Sequence, residues 1–308
     1  MQALLDTIAT MALPADASRL FHGRGGLHPG CEHWVLDWFE PVFVLTSFQA
    51  VPASEVDAAG EALAARWAQI APGQALNWVF QCRQENQVET RLMAGSVPEP
   101  HVVSEQGARY AVHVLKGQNH GLFLDMAEGR RWVRGRAEAQ PGLRVLNLFA
   151  YTCAFSVAAL QGGAAEVINV DMASGALSIG RRNHELNALD KSRASYLAHD
   201  IFNSWAKLKR GGPYGLVILD PPSFQKGSFV ATKDYARLMR RLPELLAPGG
   251  EALLCLNTPK LDTAFLMDQM AELVPALQFV ERLANPPAFA DADPERALKV
   301  LVYRAPAA

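Results

Sequence analysis

No apolar run in the 308-residue chain approaches the roughly 20 residues that a membrane-spanning helix needs, so no span is expected. The opening stretch, MQALLDTIATMALPADASRL, carries acids and no basic region ahead of an apolar one, which argues against a secretory leader and for a soluble, cytoplasmic protein. Cysteine is scarce. Cys31, Cys82, Cys153 and Cys255 lie far apart, with no CxxC and no Cys/His pair at ligand spacing, so free thiols and no metal centre are expected. Neither a GxGxxG turn nor a Gly-Lys-Ser/Thr loop occurs, which removes the usual means of holding a dinucleotide or a triphosphate and reads against a nicotinamide reductase. No repeat of fixed period and no low-complexity tract is present.

What the chain does have is material for a core: 50% of its residues are hydrophobic and 19% charged, enough for one large or two modest folded domains and too apolar for a disordered or fibrous protein. The net charge of −2 hides an asymmetry, because residues 1–115 carry 6 Lys and Arg against 12 Asp and Glu, and residues 116–308 carry 23 against 19. Positive residues of the second part cluster as Arg130, Arg131, Arg134 and Arg136, as Arg181 and Arg182, as Lys207, Lys209 and Arg210, and as Arg237, Arg240 and Arg241. Solvated helix faces and a phosphate-binding surface both account for such groups, and charge alone leaves the two open.

WVLDWFEPVFVLTSFQA reads as two short strands broken at Glu40-Pro41, followed by a helix over Ala53 to Gln69 and by the strands LNWVFQCRQ and VETRLMAG. A hairpin turning at Glu105 to Gly107 and a helix over Leu124 to Glu138 complete this part, giving a small α+β domain at 1–115, expected to serve substrate recognition, and a hairpin end and connector helix at 116–140. From 141 to 308 apolar strands alternate with helices: RVLNLFA, Ser156 to Gln161, VINVDM, Gly175 to Leu189, ASYLAHD, GLVILDPP, Tyr235 to Leu246, EALLCLN. That order predicts an α/β domain with a mostly parallel sheet covered on both faces. The closing strands LQFVERL and LKVLVYR lack an intervening helix and predict an antiparallel edge, with the Pro-rich acidic stretch 285–296 between them as a lid or a long hairpin.

Ligands of open parallel sheets bind beyond the carboxyl ends of the strands, so the strand-end residues are the candidates. The first strand runs into NLFAYTCAFS, whose small Ala150, Cys153 and Ala154 suit a tight turn. The second ends at Asp171, where a carboxylate accepts from both ribose hydroxyls, and the third at Asp200, an acceptor for an adenine amine with Ile201 against the ring. Each aspartate alone reads equally as a helix cap; together, without a triphosphate loop, they point to an adenosine moiety with little phosphate. The fourth strand delivers VILDPPSF. Asp220 and the free carbonyls around Pro221-Pro222 can face a planar amide-like edge, with Phe224 stacked on it.

In this order NLFAYTCAFS, VDM, HD and LDPPSF resemble motifs I to IV of the class I S-adenosylmethionine-dependent methyltransferases. More narrowly, FHGRGGLHPG, NHGLFLDMAEGRR, LNLFAYTCAFSVAAL, RRNHELNAL and LDPPSF resemble the bacterial 23S ribosomal RNA base methyltransferases that form 5-methylcytosine or 7-methylguanine, over roughly residues 20 to 305. With about 20 residues before Phe21, no N-terminal PUA RNA-binding domain of the kind found in some relatives is expected. The resemblance implies a Rossmann-like fold with a seven-stranded sheet, S-adenosyl-L-methionine as cofactor, and 23S ribosomal RNA or a ribosomal precursor as partner. It implies that Phe149, Ala150, Tyr151, Thr152, Cys153 and Phe155 surround the methionine part. It further implies that Asp171 and Met172 bind the ribose side, Asp200 and Ile201 the adenine, that Asp125 lies on a connector loop over the cofactor, and that Asp220 lies beside the sulfonium. Two departures stand out: Tyr151-Thr152-Cys153-Ala154 replaces the usual YTGG, and Asp125-Met126-Ala127 the usual DQR or DMR. A missing glycine weakens a close-approach turn, and Cys153 fits it if its φ is negative; Arg130 or Arg131 are the candidates to replace the lost arginine.

Methylating C5 of a pyrimidine requires a thiolate to add at C6, and the family's cysteine follows the fifth strand. Here EALLCLNTPK puts Asn257 at that position, with Cys255 two residues deeper in the strand, where a cysteine is usually an inert small hydrophobe. Asn257 resembles the 7-methylguanine branch, in which a ring nitrogen attacks the methyl directly; Asn257 and Ser223 would hold the purine edge. Two other readings keep the cofactor: a protein amide or small-molecule nitrogen as acceptor, or a binding protein without turnover, the latter motivated by Cys153, Ala154 and Ala127. The sequence leaves the oligomeric state open.

Overall fold

The computed structural model describes residues 1–84, 87–222, 224–225 and 229–307. These fold as two compact units, Met1–Asp125 with Pro286–Pro294, and Met126–Asn285 with Glu295–Ala308. The unit boundary thus falls inside the stretch read as a connector, and the Pro-rich segment of the last hairpin belongs with the first unit.

The first unit opens with α1 (Gln2–Thr10) and β1 (Ser18–His22), continues through β2 (Trp34–Phe39), β3 (Val42–Ser47), α2 (Ala53–Ile70), β4 (Trp78–Gln84) and β5 (Gln87–Ala94), and ends in the hairpin β6 (His101–Glu105) and β7 (Ala108–Val112). Its sheet has the order β1-β2-β3-β4-β5, antiparallel except for β3 and β4, which α2 connects. Val56, Ala59, Leu63 and Trp67 of α2 recur at three- and four-residue spacing and are buried with Trp34, Trp38 and Trp78. The one charged side chain inside β2, Asp37, is compensated by a two-pronged pair with Arg19 at 2.8 and 3.2 Å.

The second unit runs α3 (Ala127–Ala139), β8 (Arg144–Leu148), α4 (Ala154–Gln161), β9 (Glu166–Asp171), α5 (Ser174–Leu186), β10 (Ala194–Ala198), α6 (Trp205–Gly211), β11 (Tyr214–Leu219), β12 (Phe224–Gln225), β13 (Phe229–Val230), α7 (Ala231–Met239), α8 (Leu242–Leu245), β14 (Leu246–Leu256), α9 (Thr263–Leu273), β15 (Gln278–Arg282) and β16 (Lys299–Arg304). The seven-stranded sheet has the order β10-β9-β8-β11-β14-β16-β15, with the first five strands parallel. Its reversed strand is β16, one in from the edge, which pairs antiparallel with both β14 and β15. Alternate residues of the central strands feed separate cores on the two faces: Leu146, Val217 and Leu254 on one, Val145, Ile218 and Leu253 on the other.

Three helix ends differ from the expected ones for local reasons. The helix expected over Tyr235 to Leu246 is two, because Pro243, in the first turn of α8, cannot continue the hydrogen-bond ladder of a preceding helix. The helix expected to reach Leu189 stops at Leu186, since Ala188 adopts a left-handed φ of 51°. The helix expected from Leu124 starts at Ala127 after a 3-10 turn over Leu124–Met126.

A buried polar chain ties the frame of the parallel sheet together. His184 Nδ1 donates to the Gly180 carbonyl at 2.7 Å, so its Nε2 accepts from Ser156 Oγ at 2.9 Å; Ser156 accepts from Asn169 at 3.1 Å, and Asn169 accepts from Asn147 at 2.9 Å. Four elements, α5, α4, β9 and β8, are joined by this one relay. Burial holds His184 below its ordinary pKa, as it does His101, and takes His22 and His120 down to about 4. These imidazoles are neutral in the fold, whereas the unfolded chain takes up protons near pH 6.5. Stability is therefore complete above that pH and is lost as pH falls from about 6.5 towards 4. Urea midpoints measured across this range should drop, and H120Q should flatten the drop; a pH-independent midpoint would contradict the assignment.

Candidate active site

Strand order reverses between β8 and β11, so a crevice opens beyond their carboxyl ends. The same edge of the sheet carries the ends of β9, β10 and β14. It gathers the turn after β8, Asp171 and Met172, Asp200 and Ile201, Asp220 to Pro222, and Asn257.

The turn after β8 is conformationally expensive. Phe149, Tyr151 and Cys153 have φ of 58°, 47° and 60°, left-handed at every second residue and none of them glycine. Each costs roughly 1–2 kcal/mol relative to ordinary backbone. The negative φ on which the fit of Cys153 to the turn was conditional is not found: its amide closes a tight turn onto the Ala150 carbonyl at 2.7 Å, and α4 starts at the next residue. Surrounding groups hold the turn in place. The Ala150 amide donates to the Val170 carbonyl at 3.1 Å, the Tyr151 amide to Asp171 Oδ2 at 2.8 Å, and Asn183 Nδ2 to the Thr152 carbonyl at 2.9 Å. Cys153 is fully buried, and burial, with the nearby Asp171 charge, pushes its thiol pKa well up, so it stays a neutral packing group. It packs against Gly180 of α5, where a β-carbon would lie 2.5 Å from the Cys153 sulfur. The side chain gained at 153 is accommodated by the one absent at 180.

Asp171 accepts from two backbone amides, Tyr151 at Oδ2 and Ala173 at Oδ1, both at 2.8 Å. Asp200 caps the 3-10 turn over Ile201–Asn203, accepting from the Phe202 amide at 2.8 Å and from Asn203 Nδ2 at 2.6 Å. Each carboxylate oxygen has a second lone pair, so the pair of strand-end acids can still accept from hydroxyls or an amine. Met172 is 59% exposed beside them, whereas Ile201, Thr152 and Ala150 are buried. The Phe149 ring meets Phe229 edge-on at 5.4 Å. Phe155 is a core residue of the α3–α4 contact, with its ring against Gly129.

On the other side of the crevice Asp220 directly follows β11, and buried Pro221 and half-buried Pro222 come next. The Asp220 charge reaches the Tyr235 phenol, whose pKa is raised well above its ordinary value, chiefly by complete burial. Tyr235 donates to the Cys255 carbonyl at 2.5 Å, and Cys255 is wholly enclosed in the core. Asn257, two residues on, is exposed. Ser223 lies outside the described residues, and Phe224 is described only as backbone of β12. Asp125 belongs to the first unit, in the 3-10 turn over Leu124–Met126, where its charge acts on Arg24. Of the two candidate replacements for the arginine missing at Ala127, Arg130 is buried and Arg131 pairs with Glu128.

Sequence reasoning assigned no role to Asn183, Gly180 or Lys299. Lys299 is fully buried and donates to the carbonyls of Thr258 at 2.7 Å and Glu295 at 2.6 Å, so it ties down the segment that follows Asn257. A lysine opening the apolar run LKVLVYR was its available signal, as was the polar pair Asn183-His184 inside a helix that packs on the turn. Among the described residues no group of three His, Cys, Asp or Glu side chains is placed to hold a metal ion, and no helix is long and apolar enough to cross a membrane.

The contact between Cys153 and Gly180 makes a prediction of its own. G180A should cost about 1–3 kcal/mol through overpacking, read as a shift in denaturant midpoint, and C153G should recover most of that loss in the double variant. Additive effects would mean that the two side chains do not meet.

The sequence model of an S-adenosylmethionine-dependent methyltransferase family matches residues 18–304. The ribosomal RNA large subunit methyltransferase I of Aeromonas hydrophila is 38% identical over 170 residues, 53% of this chain and 42% of its own. That of Erwinia tasmaniensis is 33% identical over 200 residues, 62% of this chain and 50% of its own. The chain thus spans half or less of the length of these curated relatives. Among solved structures, a methyltransferase complexed with SAH matches with a TM-score of 0.81 and 25% identity, over 98% of this chain and 78% of that one. The family match omits only the two ends of the sequence, and the chain belongs to the S-adenosylmethionine-dependent methyltransferases.

Proposed function

We propose that the protein methylates a base of large-subunit ribosomal RNA, at a ring nitrogen of guanine in preference to C5 of cytosine. The observation that carries the choice of atom is the end of β14. Cys255 is wholly buried, with its carbonyl held by Tyr235, whereas the residue exposed after the strand is Asn257. A cysteine in that setting has no path to a pyrimidine C6, while an exposed amide suits the edge of a purine. The RNA acceptor is supported by the ribosomal relatives, and a cytoplasmic role follows from that substrate.

In this reading the turn at 149–153 surrounds the methionine part of the cofactor. Asp171 accepts from the ribose hydroxyls with Met172 alongside, and Asp200 accepts from the adenine amine with Ile201 beneath the ring. The fit rests on the fixed backbone of the turn and on the unused lone pairs of the two carboxylates. The bound cofactor supplies a methyl group on a sulfonium, open to displacement by a lone pair. The chain's own contribution is positioning. Asp220 and the carbonyls of the Asp-Pro-Pro segment hold the flat acceptor edge, and Asn257 orients it. Tyr235, kept protonated by burial, fixes the end of β14 from below.

Nucleosides of 23S ribosomal RNA from a deletion strain should lack one 7-methylguanine by mass spectrometry. Loss of a 5-methylcytosine instead would overturn the choice of atom, and an unchanged profile would overturn the RNA acceptor. In the purified protein D220A should lower turnover on the order of 100-fold with the fold intact, as expected for loss of acceptor positioning. C255A should retain turnover within a few-fold; a C255A protein that is folded yet inactive would restore the cysteine mechanism.

A further inference from the structure

The first unit contains a cationic group that the methyl-transfer reading does not use. Arg24 stands on a 3-10 turn, Gly23–Gly25, that follows β1. Its glycine neighbours are both forced by close approach: a β-carbon on Gly23 would lie 1.8 Å from the Cys31 carbonyl oxygen, and one on Gly25 2.2 Å from that of Ala290. The backbone is therefore wedged on both sides of an exposed arginine, whose guanidinium lies 4.2 Å from the centre of the Phe48 ring. Arg83 of β4 lies 5.5 Å from the same ring.

Arg83 is oriented as firmly as Arg24. Its Nε donates to Gln81 Oε1, and Gln81, fully buried, is anchored to Thr90 at 3.0 Å and to the Gly117 carbonyl at 2.9 Å. Its Nη2 lies 3.3 Å from His120 Nε2, and the other His120 nitrogen faces the His113 carbonyl at 3.3 Å, which leaves Nε2 as acceptor. Burial, with the nearby Arg19 charge, lowers the proton affinity of both guanidiniums, and that of Arg83 falls to about 10, which leaves it charged at neutral pH.

Among the described residues no acid pairs with either guanidinium of the group. Asp37 is taken by Arg19 in its two-pronged pair, and the Asp125 charge acts on Arg24 without an ion pair between them among the described residues. Among the described residues neither Arg24 nor Arg83 forms an ion pair, although residues 1–115 as a whole carry twice as many acids as bases. Two preoriented guanidiniums sharing an aromatic ring, in an otherwise acidic unit, are a costly arrangement for the fold alone and a suitable one for an anion next to a planar group.

We propose that Arg24, Arg83 and Phe48 form a binding site for the phosphodiester backbone of the RNA substrate, with Phe48 available to a neighbouring base. The proposal rests on the RNA-acceptor reading above and adds to it a contact located in the first unit. Guanidiniums suit the paired oxygens of a phosphodiester, and the ring and its flanking cations suit a stacked base.

The test is the salt dependence of binding of an unmodified 23S ribosomal RNA transcript, with calorimetry of S-adenosylmethionine on the same proteins. R24A and R83A should each weaken RNA binding about tenfold and reduce the slope of log affinity against log salt by about 1, with donor affinity unchanged. R24K should retain the slope while losing part of the affinity, because charge is kept and the planar fork is not. Arg24 is exposed and forms no ion pair among the described residues, so R24A probes the site even where R83A disturbs the Gln81 and His120 contacts. An R24A/R83A protein with wild-type affinity and slope would overturn this site alone. A wild-type protein that binds the donor but shows no salt-dependent affinity for the transcript would overturn the RNA-acceptor reading and this site with it.

Discussion

The hydrogen bond from the Tyr151 amide to Asp171 holds the turn on which the site depends. Three left-handed residues in five would relax in an isolated peptide, and only the groups around the turn keep them there. Asp171 supplies one clamp from the end of the adjacent strand, Asn183 a second from α5, and Gly180 the space that lets the Cys153 side chain sit beneath. The buried relay from His184 through Ser156 to Asn169 and Asn147 fixes the same two helices and two strands from inside. Strain at the turn after β8 and polar order in the core are in this way parts of one arrangement. Asp171 has a structural task that is complete without any ligand, and its second lone pairs are what remain for chemistry.

The two sides of the crevice are built differently. The β8–β9 side is held by hydrogen bonds to backbone, which fix the path of the chain and leave carboxylates at its rim. The β11–β14 side is held by burial: Tyr235, Cys255 and Lys299 are enclosed, and the Tyr235 hydroxyl and the Lys299 ammonium are turned to main-chain carbonyls. In the proposed reading, the fixed backbone serves recognition of a cofactor with many polar groups, and the enclosed support serves a flat acceptor placed in line with a methyl group.

The second unit was legible in the sequence because its strands are short, continuous and apolar and its helices keep their spacing. The strand-end acids could be named because parallel topology puts such residues at one edge. The first unit was read less completely. α1 and β1 went unassigned, since nine residues ending in a polar turn and the strand Ser18–His22 with its mixed exposure leave little periodicity. α9 was missed for a related reason, with only Leu266 and Met270 buried. The φ of Cys153 could not be read at all. A backbone angle of that kind is set by contacts from Asp171, Asn183 and Gly180, 18 to 30 residues away in sequence. Arg24 stood in a motif that was noticed, FHGRGGLHPG, but its relation to Phe48 and Arg83 depends on strand pairing.

The segment 286–294 leaves the hairpin of the second unit and belongs to the first, where Phe289 lies against His22 at 5.3 Å and the Ala292 amide donates to the Gly25 carbonyl at 2.7 Å. The chain therefore passes from one unit to the other three times, and neither unit is a continuous stretch of sequence. A gene fragment that ends at 125 would code for a first unit without the carbonyl that wedges Gly25, and one that begins at 126 would carry that wedge as a loose loop. What is modular in space is interleaved in the gene, so the turn bearing Arg24 and the sheet bearing Asp220 are inherited, truncated or recombined as a single piece.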